Sequence, residues 1–146
     1  MRTLFLIVLA VISFTFVSFS QEQPVHWQFK VVQSDSGLQV IAKAEIESGW
    51  YVYSQYLESD DGPIPTHLMI SDSLLIRSKA TEEGPSIYGY DNMFGMDIKK
   101  FKKEMLIRQP IHNGSSQKLE GYVEFMTCND EMCLPPRQIP FILTIP

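Results

Sequence analysis

Metal-ligating side chains are scarce in this sequence, which has three histidines, His26, His67 and His112, and two cysteines, Cys128 and Cys133. The histidines stand singly, at no helical or knuckle spacing to the cysteines, so a four-ligand zinc site is not expected. No stretch carries the apolar period of a helix of convincing length, and there is no internal repeat, low-complexity tract or second domain boundary. Basic charge is also short: 12 Lys and Arg stand against 17 Asp and Glu. An acidic chain argues against nucleic acid and anionic membrane as partners. Nor does any polar constellation mark a small-molecule site at the mouth of a sandwich.

Long apolar runs occur once, at the amino terminus. Arg2 gives a short basic start, Leu4 to Val17 is apolar, and Ser18 and Ser20 precede polar Gln21. That pattern reads as a secretory signal peptide over residues 1–20, with a signal anchor as the competing reading because the run approaches the roughly 18 residues of a membrane span. Loss of Arg2 with the signal leaves 11 basic and 17 acidic residues, a net charge of −6. Residues 21–146 form one domain, large enough to bury its own core, with no further membrane span expected.

The rest of the chain alternates at the two-residue period of half-buried strands. His26 to Val32, Leu38 to Ile46, Trp50 to Tyr56, His67 to Ile70, Leu74 to Ile76, Glu104 to Ile111, Lys118 to Met126 and Phe141 to Ile145 read as about eight short strands. Turn residues separate them: Ser34-Asp35-Ser36-Gly37, Glu47-Ser48-Gly49 (read as turning the chain into a second hairpin), Asp60 to Pro65, Glu82 to Pro85 and His112-Asn113-Gly114-Ser115-Ser116. Strands with turns at the roughly 8–12-residue spacing of a sandwich predict an all-β, immunoglobulin-like antiparallel β-sandwich. Tyr88 to Met96, aromatic and Met-rich between glycines, has no clean period and reads as a loop.

The one chemically distinctive segment is Cys128-Asn129-Asp130-Glu131-Met132-Cys133-Leu134-Pro135-Pro136, set between two strand-like runs. It caps a hairpin or lies at a strand junction. Pro135 and Pro136 remove two backbone donors and fix two φ angles, so neither a central strand nor a helix continues there, and the loop is held outward. Two cysteines in an exported chain can pair in an oxidising compartment. A structural disulfide is one reading. Closing so short a loop, however, restricts the unfolded chain by only roughly 2 kcal/mol, and a domain of this size does not need it. The other reading is an exposed, reducible pair. Asp130 and Glu131 between the sulfurs should raise thiol pKa values, which disfavours a nucleophilic cysteine enzyme and suits a disulfide that waits for a partner's thiolate.

Three segments together resemble the amino-terminal, periplasmic domain of the bacterial thiol-disulfide interchange protein DsbD. They are Cys128 to Cys133 with Leu134-Pro135-Pro136, the strand Gly49-Trp50-Tyr51-Val52-Tyr53, and the loop Tyr90-Asp91-Asn92-Met93-Phe94-Gly95, in the family's order. The resemblance implies a periplasmic, immunoglobulin-like module that relays electrons by thiol-disulfide exchange without a cofactor. It would take them from a thioredoxin-like domain and pass them to partners such as disulfide isomerases and the thioredoxins of cytochrome c maturation. It implies that Cys133 forms the mixed disulfide and Cys128 resolves it. The loop Asp91, Asn92, Met93, Phe94 and Gly95 becomes a cap, with Met93 or Phe94 as the covering side chain, and Tyr51 and Tyr53 pack beside the cysteines. Ordinary core packing by Met93, Phe94 and Met96 is the plainer reading of the same loop, as sandwich-face packing is for the tyrosines. The cysteine spacing is one residue shorter than in the best-known member. The family usually continues into a membrane-spanning channel and a thioredoxin-like domain, so this sequence, ending at Pro146, is expected to receive electrons from thioredoxin-like proteins or a separate membrane electron-transfer protein. The rival from another class is a non-catalytic binding or assembly module with Tyr88 to Met96 as its contact surface.

Overall fold

The structure, a computed structural model, describes residues 23–113 and 118–146. The signal peptide read at residues 1–20 and most of the Asn113-Gly114 turn lie outside the described residues.

Eleven strands and one 3-10 turn make up the described fold: β1 Val25–Ser34, β2 Gly37–Ile46, β3 Tyr51–Tyr53, β4 His67–Ile70, β5 Thr81–Glu83, β6 Ser86–Asp91, β7 Met96–Phe101, β8 Glu104–Pro110, β9 Lys118–Phe125, β10 Thr127–Cys128 and β11 Arg137–Thr144. They form three antiparallel sheets, ordered β1-β2-β8-β5, β10-β3-β7-β6 and β11-β9-β4. The fold is an immunoglobulin-like antiparallel β-sandwich, as the alternation implied.

Register explains the main core. Trp27 and Phe29 of β1 lie opposite Ala44 and Ala42 of β2, so the small residues of one strand leave room for the large residues of its neighbour. Those rings cross to the β11-β9-β4 sheet, Trp27 to Phe125 at 5.5 Å and Phe29 to Phe141 at 4.5 Å between centroids. Phe141 in turn sits opposite Gly121 of β9. A Cβ on Gly121 would run into the Met69 carbonyl oxygen and come within 2.6 Å of Phe141 Cζ, so the close approach requires glycine there.

The β10-β3-β7-β6 sheet has two buried faces. Val52 and Phe101 join the main core from one. Tyr51, Tyr53, Ile98 and Cys128 form a second cluster on the other, with Phe94, Met96, Met126 and Cys133 packed against it. The sheet thus hangs the cysteines on the sandwich.

Four local expectations are corrected, the first being the turn read at Glu82 to Pro85, whose Glu82 and Glu83 belong to β5 and pair with Ile107 and Leu106 of β8. Leu74 to Ile76 is not a strand: Ser73–Leu75 is a 3-10 turn whose N-cap Asp72 accepts from the Leu74 amide, and Ile76 makes only an isolated bridge to Ile111. The segment before Trp50 does not close a hairpin, because β2 pairs with β1 and β8 while β3 pairs with β10 and β7. Tyr88 to Met96 is not one loop. It is the end of β6, a short turn and the start of β7, paired from Ser86↔Phe101 to Asp91↔Met96.

Candidate functional site: a disulfide on the sheet face

Strands β9 and β11 are one hairpin, in register from Lys118↔Thr144 to Phe125↔Arg137, and the cysteine segment is its connection. Thr127 and Cys128 leave β9 to pair with Val52 and Tyr51 of β3. The chain then turns on Asn129, whose side-chain Oδ1 accepts from the amides of Glu131 at 2.9 Å and Met132 at 2.7 Å, while its own amide donates to the Met132 carbonyl at 2.9 Å. Asn satisfies its own turn in this way. The returning chain bridges Cys133 back to Cys128, and the Leu134 amide donates to the Thr127 carbonyl at 2.8 Å. Pro135 and Pro136, both exposed, end that pairing before Arg137 rejoins β9.

Cys128 and Cys133 form a disulfide, S–S 2.00 Å, with Cα atoms 4.0 Å apart. The two sulfurs are not equivalent. Cys128 is wholly buried, whereas Cys133 is half-buried at the edge of the cluster. Over Cys133 lies Met93, its Sδ 3.5 Å from Cys133 Sγ. A disulfide sulfur carries no proton, so this is a sulfur–sulfur packing contact, of the kind a polarizable thioether makes readily. Met93 itself remains 41% exposed.

The turn bearing Met93 is built on Asp91. Its carboxylate Oδ1 accepts from the amides of Met93 at 2.8 Å and Phe94 at 3.3 Å, and its carbonyl accepts from Gly95 at 2.8 Å. Gly95 adopts φ +67, a left-handed conformation that glycine takes freely. Asn92 is exposed at the tip. Phe94 turns inward, its ring edge-on to Tyr53 at 5.8 Å, and Tyr53 is edge-on to Tyr51 at 5.7 Å. The Tyr51 hydroxyl donates to the Asn129 carbonyl at 2.9 Å, and the Tyr53 hydroxyl to Asp91 Oδ2 at 3.4 Å. The structure therefore brings all nine sequence-named residues from Tyr51 to Cys133 to one sheet face and its two bordering loops, with Pro135 and Pro136 at the rim.

Two residues that sequence reasoning passed over complete the site. One is Asn129, described above. The other is Lys100 of β7, whose ammonium pairs with Asp91 Oδ2 at 2.8 Å and stands 4.5 Å over the Tyr51 ring. Burial alone would raise the Asp91 carboxyl; the Lys100 hydrogen bond, the amides of Met93 and Phe94, and the Lys100 charge outweigh it and hold its pKa below the usual carboxylate value. Burial, reinforced by the Asp91 charge, raises the Tyr53 phenol strongly. Burial also raises Tyr51, the nearby Lys100 partly offsetting it. Both tyrosines are thus neutral hydrogen-bond donors at neutral pH.

Among the described residues no group of three or more His, Cys, Asp or Glu could hold a metal ion, and no helix is long and apolar enough to cross a membrane. What the arrangement offers chemically is one half-buried sulfur in contact with Met93, backed by one sulfur that is wholly buried.

The sequence model of a family described as "Thiol:disulfide interchange protein DsbD, N-terminal" matches residues 17–144. No curated protein matches the chain by sequence. Among solved structures, the Neisseria meningitidis DsbD amino-terminal domain in its reduced form superposes with a TM-score of 0.57 at 15% identity, over 81% of this chain and 84% of that one. The amino-terminal periplasmic domain of ScsB from Proteus mirabilis gives 0.63 at 14% identity, over 88% of this chain and 49% of that one. The complex between the DsbD and PilB amino-terminal domains of N. meningitidis contains a chain matched with 0.54 at 15% identity, over 80% of each. At these identities the structural likeness is one of fold.

Proposed function

Since this chain belongs to the family of DsbD amino-terminal domains, we propose that it is a periplasmic thiol-disulfide exchange module, relaying electrons between thioredoxin-like partners through Cys128 and Cys133. The observation that carries this reading is the asymmetry of the disulfide, with Cys128 buried and Cys133 half-buried and in contact with Met93. A purely structural pin needs no cap. One structural relative, a complex between the DsbD and PilB amino-terminal domains, supports protein partners, and another, a periplasmic domain, supports the compartment.

In the accepting half-reaction a donor thiolate attacks Cys133 Sγ, the Cys128–Cys133 bond breaks, and Cys128 leaves as a thiolate and takes a proton. The donor's second thiolate then attacks its own sulfur in the mixed disulfide. Cys133 is released reduced, and the donor leaves oxidised. In the donating half-reaction the Cys133 thiolate attacks an acceptor disulfide, and Cys128 thiolate attacks Cys133 Sγ to expel the reduced acceptor and restore the disulfide. Two electrons pass each time and no cofactor enters. Residues 1–20 would act as the signal peptide that delivers the domain, and a thioredoxin-like domain or a separate membrane protein would supply the electrons.

The test uses a thioredoxin-like protein lacking its resolving cysteine and carrying a chromophoric thiol on its attacking cysteine. Cys128→Ala should displace that chromophore and form a stable covalent complex through Cys133, whereas Cys133→Ala, its remaining thiol buried, should react at least tenfold more slowly. Equal reactivity of the two variants contradicts the assignment.

A further inference from the structure

Lys100 is only 16% exposed in its side chain, and charged groups at that depth persist when they are paired. Its position is fixed by β7, where it lies opposite Tyr53 of β3 and Ile87 of β6, on the sheet face that also carries Ile98. From there its ammonium reaches two partners on two different strands, β6 and β3, each of which leads to a different loop. Asp91 Oδ2, at 2.8 Å, leads to the cap, because the other oxygen of that carboxylate gathers the Met93 and Phe94 amides. The Tyr51 ring, 4.5 Å below it, leads to the cysteine loop, because the Tyr51 hydroxyl donates to the Asn129 carbonyl. Lys102 also approaches that ring, but from 5.7 Å, and no ion pair joins it to Asp91.

We propose that Lys100 is the positioning residue that keeps the disulfide closed to small thiols, by joining the cap loop and the cysteine loop through one cation. This rests on the reading of Cys128 and Cys133 as an exchange pair. Lifting Met93 off Cys133 with its turn requires the Asp91 carboxylate to move, and a carboxylate 2% exposed is poorly solvated anywhere but beside its cation. The closed arrangement is favoured as long as Lys100 is present. Without it the open population rises, and the attack of any small thiol rises in proportion. A docking protein displaces Met93 with its own surface, so it depends less on spontaneous opening. Lys100 therefore sets the preference for protein over small-molecule thiols.

The experiment reduces oxidised wild type, Lys100→Met and Lys100→Arg with glutathione and, separately, with a reduced thioredoxin-like protein. Met keeps an unbranched apolar stem, in a side chain one atom shorter than that of lysine, and removes the charge. The ratio of the glutathione rate to the protein rate should rise about tenfold in Lys100→Met and return to within about threefold of wild type in Lys100→Arg. A ratio within twofold of wild type in Lys100→Met overturns the proposal, as does an Arg variant as leaky as the Met variant. Should Lys100→Met lose its native circular dichroism, Lys100→Gln takes its place and is read against the same limits: a rise of about tenfold supports the proposal, and a ratio within twofold of wild type overturns it. A wild type reduced no faster by the protein than by glutathione at equal thiolate concentration overturns the exchange reading itself, an outcome distinct from failure of the latch.

Discussion

At the scale of single residues, Asp91 is where stability and site coincide. Its folded pKa lies below the usual carboxylate value because Lys100 and two backbone amides outweigh burial. A depressed carboxyl contributes stability that is complete above its unfolded pKa and is lost as pH falls through the folded value. Asp91→Asn should therefore cost about 2–3 kcal/mol at pH 7, the range for breaking a partly buried charge pair, and progressively less below about pH 4. Urea titrations of wild type and variant across that range check it; a difference independent of pH would contradict the ionic role. Tyr51→Phe removes the donor to the Asn129 carbonyl and should cost about 1 kcal/mol, with faster amide exchange at Glu131 and Met132. The cysteines were legible from their spacing and the Pro-Pro that follows them, whereas the two tyrosines and the Asp91 to Gly95 turn were named only through the family resemblance. Lys100 and Asn129 were not. Lys100 is hidden inside Lys99 to Lys103, where a basic run masks the two-residue alternation that sends it to the face of Ile98. Asn129 reads as one more polar residue in a turn until its side chain is seen to accept two amides.

At the scale of elements, alternation was a good guide wherever a strand has one wet face and failed where that condition fails. Strand β2 shows Leu38, Val40, Ala42, Ala44 and Ile46 all buried, and its period is plain in the sequence. The β6–β7 hairpin was missed because β6 is an edge strand: Ile87, Tyr88 and Tyr90 are all exposed, so its apolar residues follow no period. Leu74 to Ile76 misled in the opposite way. Three apolar residues in a row look like a buried strand, yet Leu74 is 85% exposed and Asp72 caps a 3-10 turn. The β9–β11 hairpin yields a sharp expectation. Gly121→Ala would drive its methyl into the Met69 carbonyl of β4 and the Phe141 ring of β11, and a backbone atom cannot rotate away. The loss should be about 2–3 kcal/mol in urea unfolding, in the range for overpacked cores; a neutral result would mean that β4 and β9 are farther apart than described.

At the scale of the whole molecule, two clusters divide the work. The main core between the outer sheets carries stability, and the smaller cluster around Tyr51, Tyr53, Ile98 and Cys128 carries the site. Truncating Phe141 to Ala should thus cost about 3–5 kcal/mol, a large share of the roughly 5–15 kcal/mol that holds a domain together. Met93→Ala should cost under about 1 kcal/mol, because the side chain is half in solvent, while hastening glutathione reduction several-fold. The sandwich itself was readable from strand spacing, but its division into three sheets was not, since nothing local tells β3 to leave β2 and take β10 and β7 as neighbours.

The central claim, that Cys128 and Cys133 are an exchange pair, is tested most directly by the reduction potential of the purified domain, equilibrated against glutathione and dithiothreitol buffers. The account predicts a potential more oxidising than about −300 mV, the bound below which structural disulfides fall. A value well below that would make the disulfide a structural pin and contradict the account.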